Sequence, residues 1–328
     1  MKILPVFIPH QGCPFTCVYC NQYLITKKKE VDLQKISQQI EAFCFHNKNF
    51  EKEIAFFGGT FTNLKISEQL KFLEIVKPFL DEKTGIRIST RPDFINDKKL
   101  IFLQKHGLTT LELGIQSFYD NVLFSSKRNY DSVIAINACN LIKKSKITLG
   151  IQLMPGLPDF SGKSLIETIK TTIMVKPEFV RIYPTLVLKD TYLEKLFRHN
   201  KYKPLELDNT IDIIIQMLKE FEKYNIKVIK IGLHSDIDKE SIIAGPYHPS
   251  LGELVKAKII FREITKKYSE SKTLVISKYD VSLFKGFRGK LIKDLKSSLE
   301  IDRIPVVIEK NVPKNKISFK SIKPAQYW

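Results

Sequence analysis

Residues 10–22 have the sequence HQGCPFTCVYCNQ, in which Cys13, Cys17 and Cys20 follow the spacing C-x3-C-x2-C. Three of the five cysteines of the chain therefore fall within eight residues. Iron–sulfur clusters are commonly held by four cysteine thiolates. Three thiolates leave one iron without a protein ligand, and an open position on a metal is where a substrate or cofactor binds. The stretch therefore predicts a cluster with one open iron.

Two other uses of these cysteines stay open at this point. A structural zinc site takes four ligands, often from two C-x2-C pairs, whereas only one such pair is present and His10 is the remaining candidate. Five cysteines cannot all pair in disulfides, and residues 1–8 contain too short an apolar run for a secretion signal. We therefore favour a cluster or metal site, and we expect a cytoplasmic protein that does not span a membrane.

The composition indicates a basic globular protein. The chain has 328 residues, and its 53 Lys and Arg against 35 Asp and Glu give a net charge of +18. Such a charge favours a polyanionic partner such as nucleic acid. Only eight of the basic residues are Arg, however, and lysines on solvated helix faces would explain the charge equally well.

Strands and helices alternate through the first two-thirds of the chain. Short apolar runs predict strands that begin at residues 3, 53, 86, 109, 147 and 179, with one more at 226–231. Apolar residues at three- and four-residue steps predict helices at 33–45, 66–80, 97–106, 131–144, 162–174 and 209–224. Six strand–helix units favour an α/β fold with parallel strands, in the form of a partial, TIM-like (β/α)6 barrel.

The distinctive motifs each follow a predicted strand, and active-site residues of such barrels lie at the carboxyl ends of the strands. Adjacent glycines in the second of these loops allow a ligand to approach the backbone closely. The candidates for contact with a ligand at this edge are Gly58, Gly59, Thr60, Arg91, Glu112 and Gln116, and the resemblance described below implies that the ligand is a cofactor. Arg128 is a further candidate for binding a carboxylate or phosphate, although a surface salt bridge is favoured for it.

The cysteine spacing, with Tyr19 before the third cysteine, resembles the signature of radical S-adenosylmethionine enzymes. The resemblance implies that Cys13, Cys17 and Cys20 hold a 4Fe–4S cluster whose open iron binds S-adenosylmethionine. In that family, reductive cleavage of S-adenosylmethionine releases a 5′-deoxyadenosyl radical. The resemblance also implies that residues 58–60 contact the amino group of S-adenosylmethionine. A reducing protein such as ferredoxin or flavodoxin would supply the electron.

Four later blocks resemble the radical core of the Elongator catalytic subunit and related bacterial enzymes: ELGIQS at 112–117, IQLMPGLP at 151–158, RIYPTLV at 181–187 and YKP at 202–204. The resemblance covers about residues 3–235 and implies a radical reaction on a base of tRNA or another RNA. No acetyl-coenzyme A motif follows it, so we expect no acetyltransferase domain here. The alternatives are a radical enzyme for a small molecule such as a tetrapyrrole, and a non-enzymatic, metal-stabilised RNA-binding protein.

The remaining residues predict a second, smaller domain. We place the radical core at 1–235 and a basic α+β domain at 236–328, with helices at 254–268 and 291–299 and strands at 273–277, 304–308 and 316–319. The sequence GFRG at 286–289 resembles the loop with which KH modules clamp nucleic acid. The alternative is a small cap on the barrel.

Four residues outside these motifs could also carry chemistry. Cys44 and Cys139 lie on apolar helix faces and are expected to be buried free thiols rather than ligands of a second cluster. His234 and His248 could lie near the mouth of the active site, although lone histidines are usually polar surface residues.

Overall fold

The computed structural model of the protein describes residues 1–26, 31–233, 237–269, 272–321 and 323–328. The chain forms two compact units, Met1–Pro249 and Ser250–Trp328. The predicted domain boundary after residue 235 stays a prediction, and the two units are described separately.

The strands of the first unit match the predicted ones closely and include two more. They are β1 (Lys2–Phe7), β2 (Lys52–Phe57), β3 (Thr84–Thr90), β4 (Leu108–Gln116), β5 (Thr148–Leu153), β6 (Phe179–Ile182), β7 (Val187–Leu188), β8 (Lys227–Ile231) and β9 (Ile242–Ala244). The pairs between β7 and β9 are antiparallel, and all other pairs in this unit are parallel.

Seven of these strands form one parallel sheet in the order β1-β2-β3-β4-β5-β6-β8. Each strand of this sheet thus pairs with the strand that follows it in the sequence. Because the strands are parallel, every connection runs from the carboxyl end of one strand back to the amino end of the next. Because parallel strands cannot be joined by tight turns, the connections contain helices. The sheet curls into a half-barrel, which confirms the predicted partial barrel.

The helices of this unit are α1 (Gln22–Thr26), α2 (Leu33–His46), α3 (Ile66–Val76), α4 (Asp97–Lys105), α5 (Asp120–Ser125), α6 (Ser132–Lys144), α7 (Gly162–Val175), α8 (Tyr192–Arg198) and α9 (Leu207–Lys223). Side-chain caps fix several starts: Asp32 accepts from the amide of Lys35, and Asp131 accepts from that of Ile134. The buried sides of α2 and α6 include Cys44 and Cys139, which are buried as predicted.

The second unit is α+β, as predicted. It contains α10 (Leu251–Lys267), β10 (Thr273–Ser277), α11 (Val281–Leu299), β11 (Pro305–Glu309), β12 (Ile317–Lys320) and β13 (Gln326–Tyr327). Its sheet has the order β12-β10-β11-β13, in which β10 and β11 are parallel and the outer strands are antiparallel. Apolar side chains of both helices, among them Ile264 and Phe284, pack in its core.

The interpretation of GFRG as a KH-like loop was wrong. Gly286 and Gly289 lie inside α11, a helix of 19 residues, rather than in a loop before a helix. The apolar periodicity of the helix begins at its first turn, where Leu283 and Phe284 enter the core, so the helix starts before the glycines. Within the described parts of the chain, no helix is both long and apolar enough to cross a membrane.

Candidate active site at the carboxyl edge of the barrel

An open cavity of about 230 Å³ lies at the carboxyl ends of the barrel strands. The stretch at 10–22 after β1, called the cysteine loop, and residues 58–60 after β2, called the glycine loop, form one side of it. The ends of β3 and β4, and residues in and after β5 and β6, also line it. The fold thus brings motifs from six strands to one place.

The three clustered cysteines all line this cavity and are free thiols. Cys17 is buried, whereas Cys13 and Cys20 are partly exposed. Over the residues that the structure describes, no group of three or more His, Cys, Asp or Glu side chains could hold a metal ion. The three thiols share one cavity.

Two arginine side chains donate to the sulfur of Cys17. Arg128 Nη1 lies 3.2 Å from Cys17 Sγ, and Arg91 Nη1 lies 3.8 Å from it. Burial opposes ionisation of this thiol, but the positive charges of Arg128 and Arg91 outweigh burial and lower the pKa of Cys17. Burial, with the two neighbouring thiols, raises the pKa of Cys20 to about 12. Cys17 is thus the thiol whose charged form the protein stabilises.

The cysteine loop lies directly against the glycine loop, backbone on backbone. The amide of Thr60 donates to the carbonyl of Gln11 at 2.7 Å. A Cβ on Gly59 would lie 2.1 Å from that same carbonyl oxygen, and a Cβ on Gly12 would lie 2.3 Å from the carbonyl oxygen of Thr60. Gly59 is therefore required by the neighbouring loop, whereas the sequence interpretation attributed the glycine pair to a ligand.

A reciprocal pair of hydrogen bonds closes the base of the cysteine loop. The amide of Gln22 donates to His10 Nε2 at 2.9 Å, and Gln22 Oε1 accepts from the amide of His10 at 2.5 Å. The same Oε1 accepts from the amide of Gly59 at 2.8 Å. Gln22 thus ties both ends of the cysteine loop to the glycine loop.

The opposite side of the cysteine loop contacts the segment after β6, which the sequence analysis did not assign. Val18 packs against Val187 in β7 and Leu193 in α8, and the amide of Leu193 donates to the carbonyl of Val18 at 2.7 Å. Strands β7 and β9 are too short for periodicity to reveal them. The loop is therefore held from both sides.

The surface salt bridge favoured for Arg128 is wrong. Arg128 is 4% exposed and lines the cavity. Its Nη2 donates to the carbonyl of Gly114 at 2.5 Å, and its Nε donates to Tyr130 Oη at 3.1 Å. Arg91 is equally buried and forms a bidentate ion pair with Asp93, at 3.0 and 2.8 Å. Both guanidinium groups are therefore fixed before any ligand binds.

Gln116, at the end of β4, has the backbone geometry of a functional position. Its φ is +72°, in the left-handed region, and the strand register shifts between Gly114 and Gln116. Such a bulge redirects a side chain. A left-handed backbone is uncommon for a residue other than glycine. Gln116 Oε1 and the hydroxyl of Ser89 both line the cavity, are buried, and have no hydrogen-bond partner among the described residues. Buried polar atoms of this kind need a ligand or water.

Glu112 is placed differently from the other predicted residues. It is fully buried and does not belong to the lining of the cavity. Its Oε1 lies 2.9 Å from Arg87 Nη1, and its Oε2 lies 3.0 Å from Arg181 Nε. Along β4 it precedes Gln116 by four residues, so it lies farther from the carboxyl edge of the sheet. Its carboxylate is thus already occupied by protein donors.

Comparison with known families then decides the assignment. Residues 7–172 match the family described as "Radical SAM superfamily". Residues 177–260 match the family described as "Radical_SAM C-terminal domain". The first match alone covers half of the chain. The chain belongs to the Radical SAM superfamily, and it is a Radical SAM enzyme.

Similar curated proteins support the resemblance to the Elongator catalytic subunit. The tRNA uridine(34) acetyltransferase of Methanocaldococcus jannaschii is 30% identical over 260 residues, which are 72% of this chain and 45% of the relative. Human Elongator complex protein 3 is 27% identical over 60% of this chain and 36% of its own length. An uncharacterized protein of M. jannaschii is 30% identical over 74% of this chain and 73% of its own length. The chain spans about half the length, or less, of the named relatives.

Solved structures show the same fold for this Radical SAM enzyme. Elp3 of Methanocaldococcus infernus superposes with a TM-score of 0.64 and 23% identity, over 83% of this chain and 70% of that one. Coproporphyrinogen III oxidase of Escherichia coli gives a TM-score of 0.51 and 19% identity, over 68% and 52% of the two chains. Both likenesses concern the fold.

The superfamily implies an iron–sulfur cluster and S-adenosylmethionine, and the cavity of this Radical SAM enzyme fits both. Three free thiols face it, and buried polar atoms of Ser89, Gln116 and Arg181 in its lining lack hydrogen-bond partners among the described residues. The cavity is lined by the following predicted residues: Cys13, Cys17, Cys20, Gly58, Gly59, Thr60, Arg91, Gln116 and Arg128. His248 does not line it, and His234 lies outside the described residues.

Three cavity residues on β5 and β6 received no role from the sequence. Gln152, Arg181 and Tyr183 line the cavity. Positions 179, 181 and 183 alternate along the sixth strand, so they share one face of the sheet. Polar residues at alternate positions, Arg181 in β6 and Tyr183 directly after it, were the signal that could have identified them.

Proposed function

We propose that this enzyme holds a 4Fe–4S cluster on Cys13, Cys17 and Cys20 and uses S-adenosylmethionine for a radical reaction on a base of tRNA. The observation that carries the proposal is the meeting of three free thiols and two buried arginines in one cavity. When bound, the two cofactors together supply a carbon-centred radical that removes a hydrogen atom from the substrate.

The arrangement of the thiols supports a cluster over zinc. The chain offers three thiols in this cavity, whereas a structural zinc site takes four ligands. Arg128 and Arg91 donate N–H groups to Cys17 Sγ, which orients this sulfur and offsets its negative charge. Hydrogen bonds to cluster sulfurs are one of the means by which proteins set the potential of a cluster.

The rim of the cavity offers groups that suit S-adenosylmethionine. We assign its binding to Gly58, Gly59, Thr60, Arg91 and Gln116. Gln116 Oε1 is a buried acceptor that a ligand hydroxyl or ammonium group would satisfy. Thr60 Oγ1 lies 3.4 Å from Cys13 Sγ, so this loop adjoins the cluster site. A direct cofactor contact by Glu112 stays a prediction.

Two observations support tRNA as the substrate class. The named relatives include tRNA uridine(34) acetyltransferases. Residues 250–328 contain 18 Lys and Arg and 8 Asp and Glu, a net charge of +10 (18 − 8) out of +18 for the whole chain. A polyanion is the partner that such a concentration of charge attracts. Ferredoxin or flavodoxin as electron donor, and a cytoplasmic location, stay predictions.

The test is anaerobic reconstitution with iron and sulfide, followed by reduction and addition of S-adenosylmethionine, with and without bulk tRNA. We expect formation of 5′-deoxyadenosine, and we expect tRNA to stimulate it. Cys13→Ala, Cys17→Ala and Cys20→Ala should each abolish it, because each removes a ligand of the cluster. Iron content and the absorption of the cluster should fall in parallel.

Cys139→Ala is the matched control, since Cys139 is fully buried on α6 and does not line the cavity. This variant should keep its iron and its activity. Purified protein that binds zinc, or that folds without any cluster and cleaves no S-adenosylmethionine, would overturn the proposal.

A further inference from the structure

Of the three arginines that line the cavity, Arg181 alone keeps guanidinium nitrogens without a hydrogen-bond partner among the described residues. Every guanidinium nitrogen of Arg91 and Arg128 has a hydrogen-bond partner. Arg181 Nε lies 3.0 Å from Glu112 Oε2, which is an ion pair without the geometry of a hydrogen bond, and Nη1 donates to Tyr183 Oη at 3.1 Å. No partner for its Nη2 is found among the residues that the structure describes. A donor of this kind, on the wall of a cavity, points to a ligand.

The guanidinium group of Arg181 is held rigidly from three sides. Glu112 Oε2 lies 3.0 Å from its Nε, and Tyr183 accepts from its Nη1. The ring of Phe57, across the barrel on β2, lies with its centre 5.0 Å from the guanidinium carbon. Only 11% of the Arg181 side chain is exposed. The free Nη2 therefore has a fixed position.

An acceptor lies beside this donor. Gln152 and Arg181 are direct neighbours in the register of β5 and β6. Gln152 Nε2 donates to Glu112 Oε2 at 3.3 Å, the oxygen that also pairs with Arg181. A carboxylate only accepts hydrogen bonds, so this contact fixes the orientation of the amide and leaves Gln152 Oε1 as its remaining polar atom. Since both side chains line the cavity, they present a donor and an acceptor side by side.

The charges around Arg181 favour an uncharged ligand group. Arg87 pairs with both Glu53 and Glu112, and Glu112 pairs with Arg181. Two arginines and two glutamates in one buried network sum to zero. A neutralised guanidinium group suits a carbonyl oxygen, whereas a phosphate would require additional positive charge.

We propose that Arg181 Nη2 and Gln152 Oε1 together bind the edge of the substrate base. They fit an edge that presents a carbonyl oxygen beside an N–H, as uracil and guanine do. Glu112 is the positioning residue that aligns them both. The inference rests on the proposed function and adds to it the residues that recognise the substrate. Arg181 lies on β6, five strands away from β1 in the order of the sheet, whereas the cysteine loop follows β1.

The test variant is Arg181→Gln, which removes the donor while Arg87 still neutralises Glu112. We expect the value of kcat/KM for bulk tRNA, measured by tRNA-dependent release of 5′-deoxyadenosine, to fall about tenfold or more. Binding of S-adenosylmethionine without tRNA, measured by equilibrium dialysis, should stay unchanged. Arg181→Lys retains a cationic donor and should restore part of the loss.

Arg198→Gln is the matched control, because Arg198 is exposed on α8 and pairs only with Glu194 among the described residues. The inference is overturned if Arg181→Gln weakens binding of S-adenosylmethionine, since Arg181 would then serve the cofactor. It is also overturned if the variant leaves tRNA-dependent turnover unchanged. Thermal unfolding of each variant separates these outcomes from loss of structure. A wild-type protein that tRNA does not stimulate would instead defeat the proposed function itself.

Discussion

The rim of the cavity and the ion-paired layer deeper in the barrel, called the floor although its side chains do not line the cavity, are built by different means. The rim consists of the cysteine loop and the glycine loop, which contact each other through backbone atoms such as the carbonyl of Gln11 and the amide of Thr60. The floor consists of the side chains Glu53, Arg87 and Glu112, which form buried ion pairs across β2, β3 and β4. Arg181 pairs with Glu112 and lines the cavity, so it joins this floor to the cavity.

The two regions are therefore sensitive to different kinds of substitution. Backbone contacts at the rim depend on small residues that permit close approach, so added volume disrupts them. Buried ion pairs in the floor depend on charge balance, so removal of one partner leaves another charge uncompensated. Perturbing the rim should first affect the cluster, whereas perturbing the floor should first affect the stability of the barrel.

The largest effect is expected for Arg87→Leu, in the floor. Arg87 is 1% exposed and pairs with Glu53 and Glu112, so the change leaves two buried carboxylates without this partner. We expect the free energy of unfolding to fall by about 3–5 kcal/mol, measured by urea denaturation. Glu74→Gln removes a partner of the exposed pair with Lys77 and should cost at most about 1 kcal/mol. Equal losses in the two variants would refute the contrast between buried and exposed pairs.

Gly59→Ala should have the next largest effect, in the rim. Its φ is +64°, and a Cβ would lie 2.1 Å from Gln11 O, so the glycine loop must separate from the cysteine loop. The left-handed backbone alone costs about 1–2 kcal/mol for alanine. We expect iron content after reconstitution to fall several-fold, measured by colorimetric iron assay.

Gly162→Ala is its matched control. A Cβ there would meet no atom within 4 Å, and the residue begins α7, where alanine is the better helix former. This variant should retain its iron and be as stable as the wild-type protein or slightly more so. Full iron content in Gly59→Ala would show that the close approach of the two loops does not hold the cluster site.

The same contrast explains what the sequence could predict. The strand–helix alternation, the cysteine spacing and the glycine pair are local patterns, and they located the barrel and the rim. The floor depends on register: Ser89 lies beside Glu112 and Arg181 beside Gln152 only because the strands align in that way. Arg128 was misjudged because its partners Cys17 and Gly114 come from other elements. Strands β7 and β9, of two and three residues, are too short to show a period.

The smallest effect is expected for Gln22→Ala, which tests the rim without adding volume. Gln22 Oε1 accepts from the amides of His10 and Gly59, and the change leaves both amides without this acceptor. Both are only partly buried, so water can replace part of the loss, and we expect a cost of about 1 kcal/mol in unfolding free energy. Faster hydrogen exchange at the two amides would locate the effect at the base of the cysteine loop.

Gln22→Glu should restore slow exchange, because a carboxylate oxygen can accept from the same two amides. The control is Gln104→Ala, since Gln104 is exposed and donates only to the carbonyl of Ser145 among the described residues. If Gln22→Ala leaves exchange at both amides unchanged, the contacts between the two backbones hold the rim without the side chain of Gln22. In that case the glycines, rather than the glutamine, fix the cysteine loop, and the rim differs from the floor even more sharply.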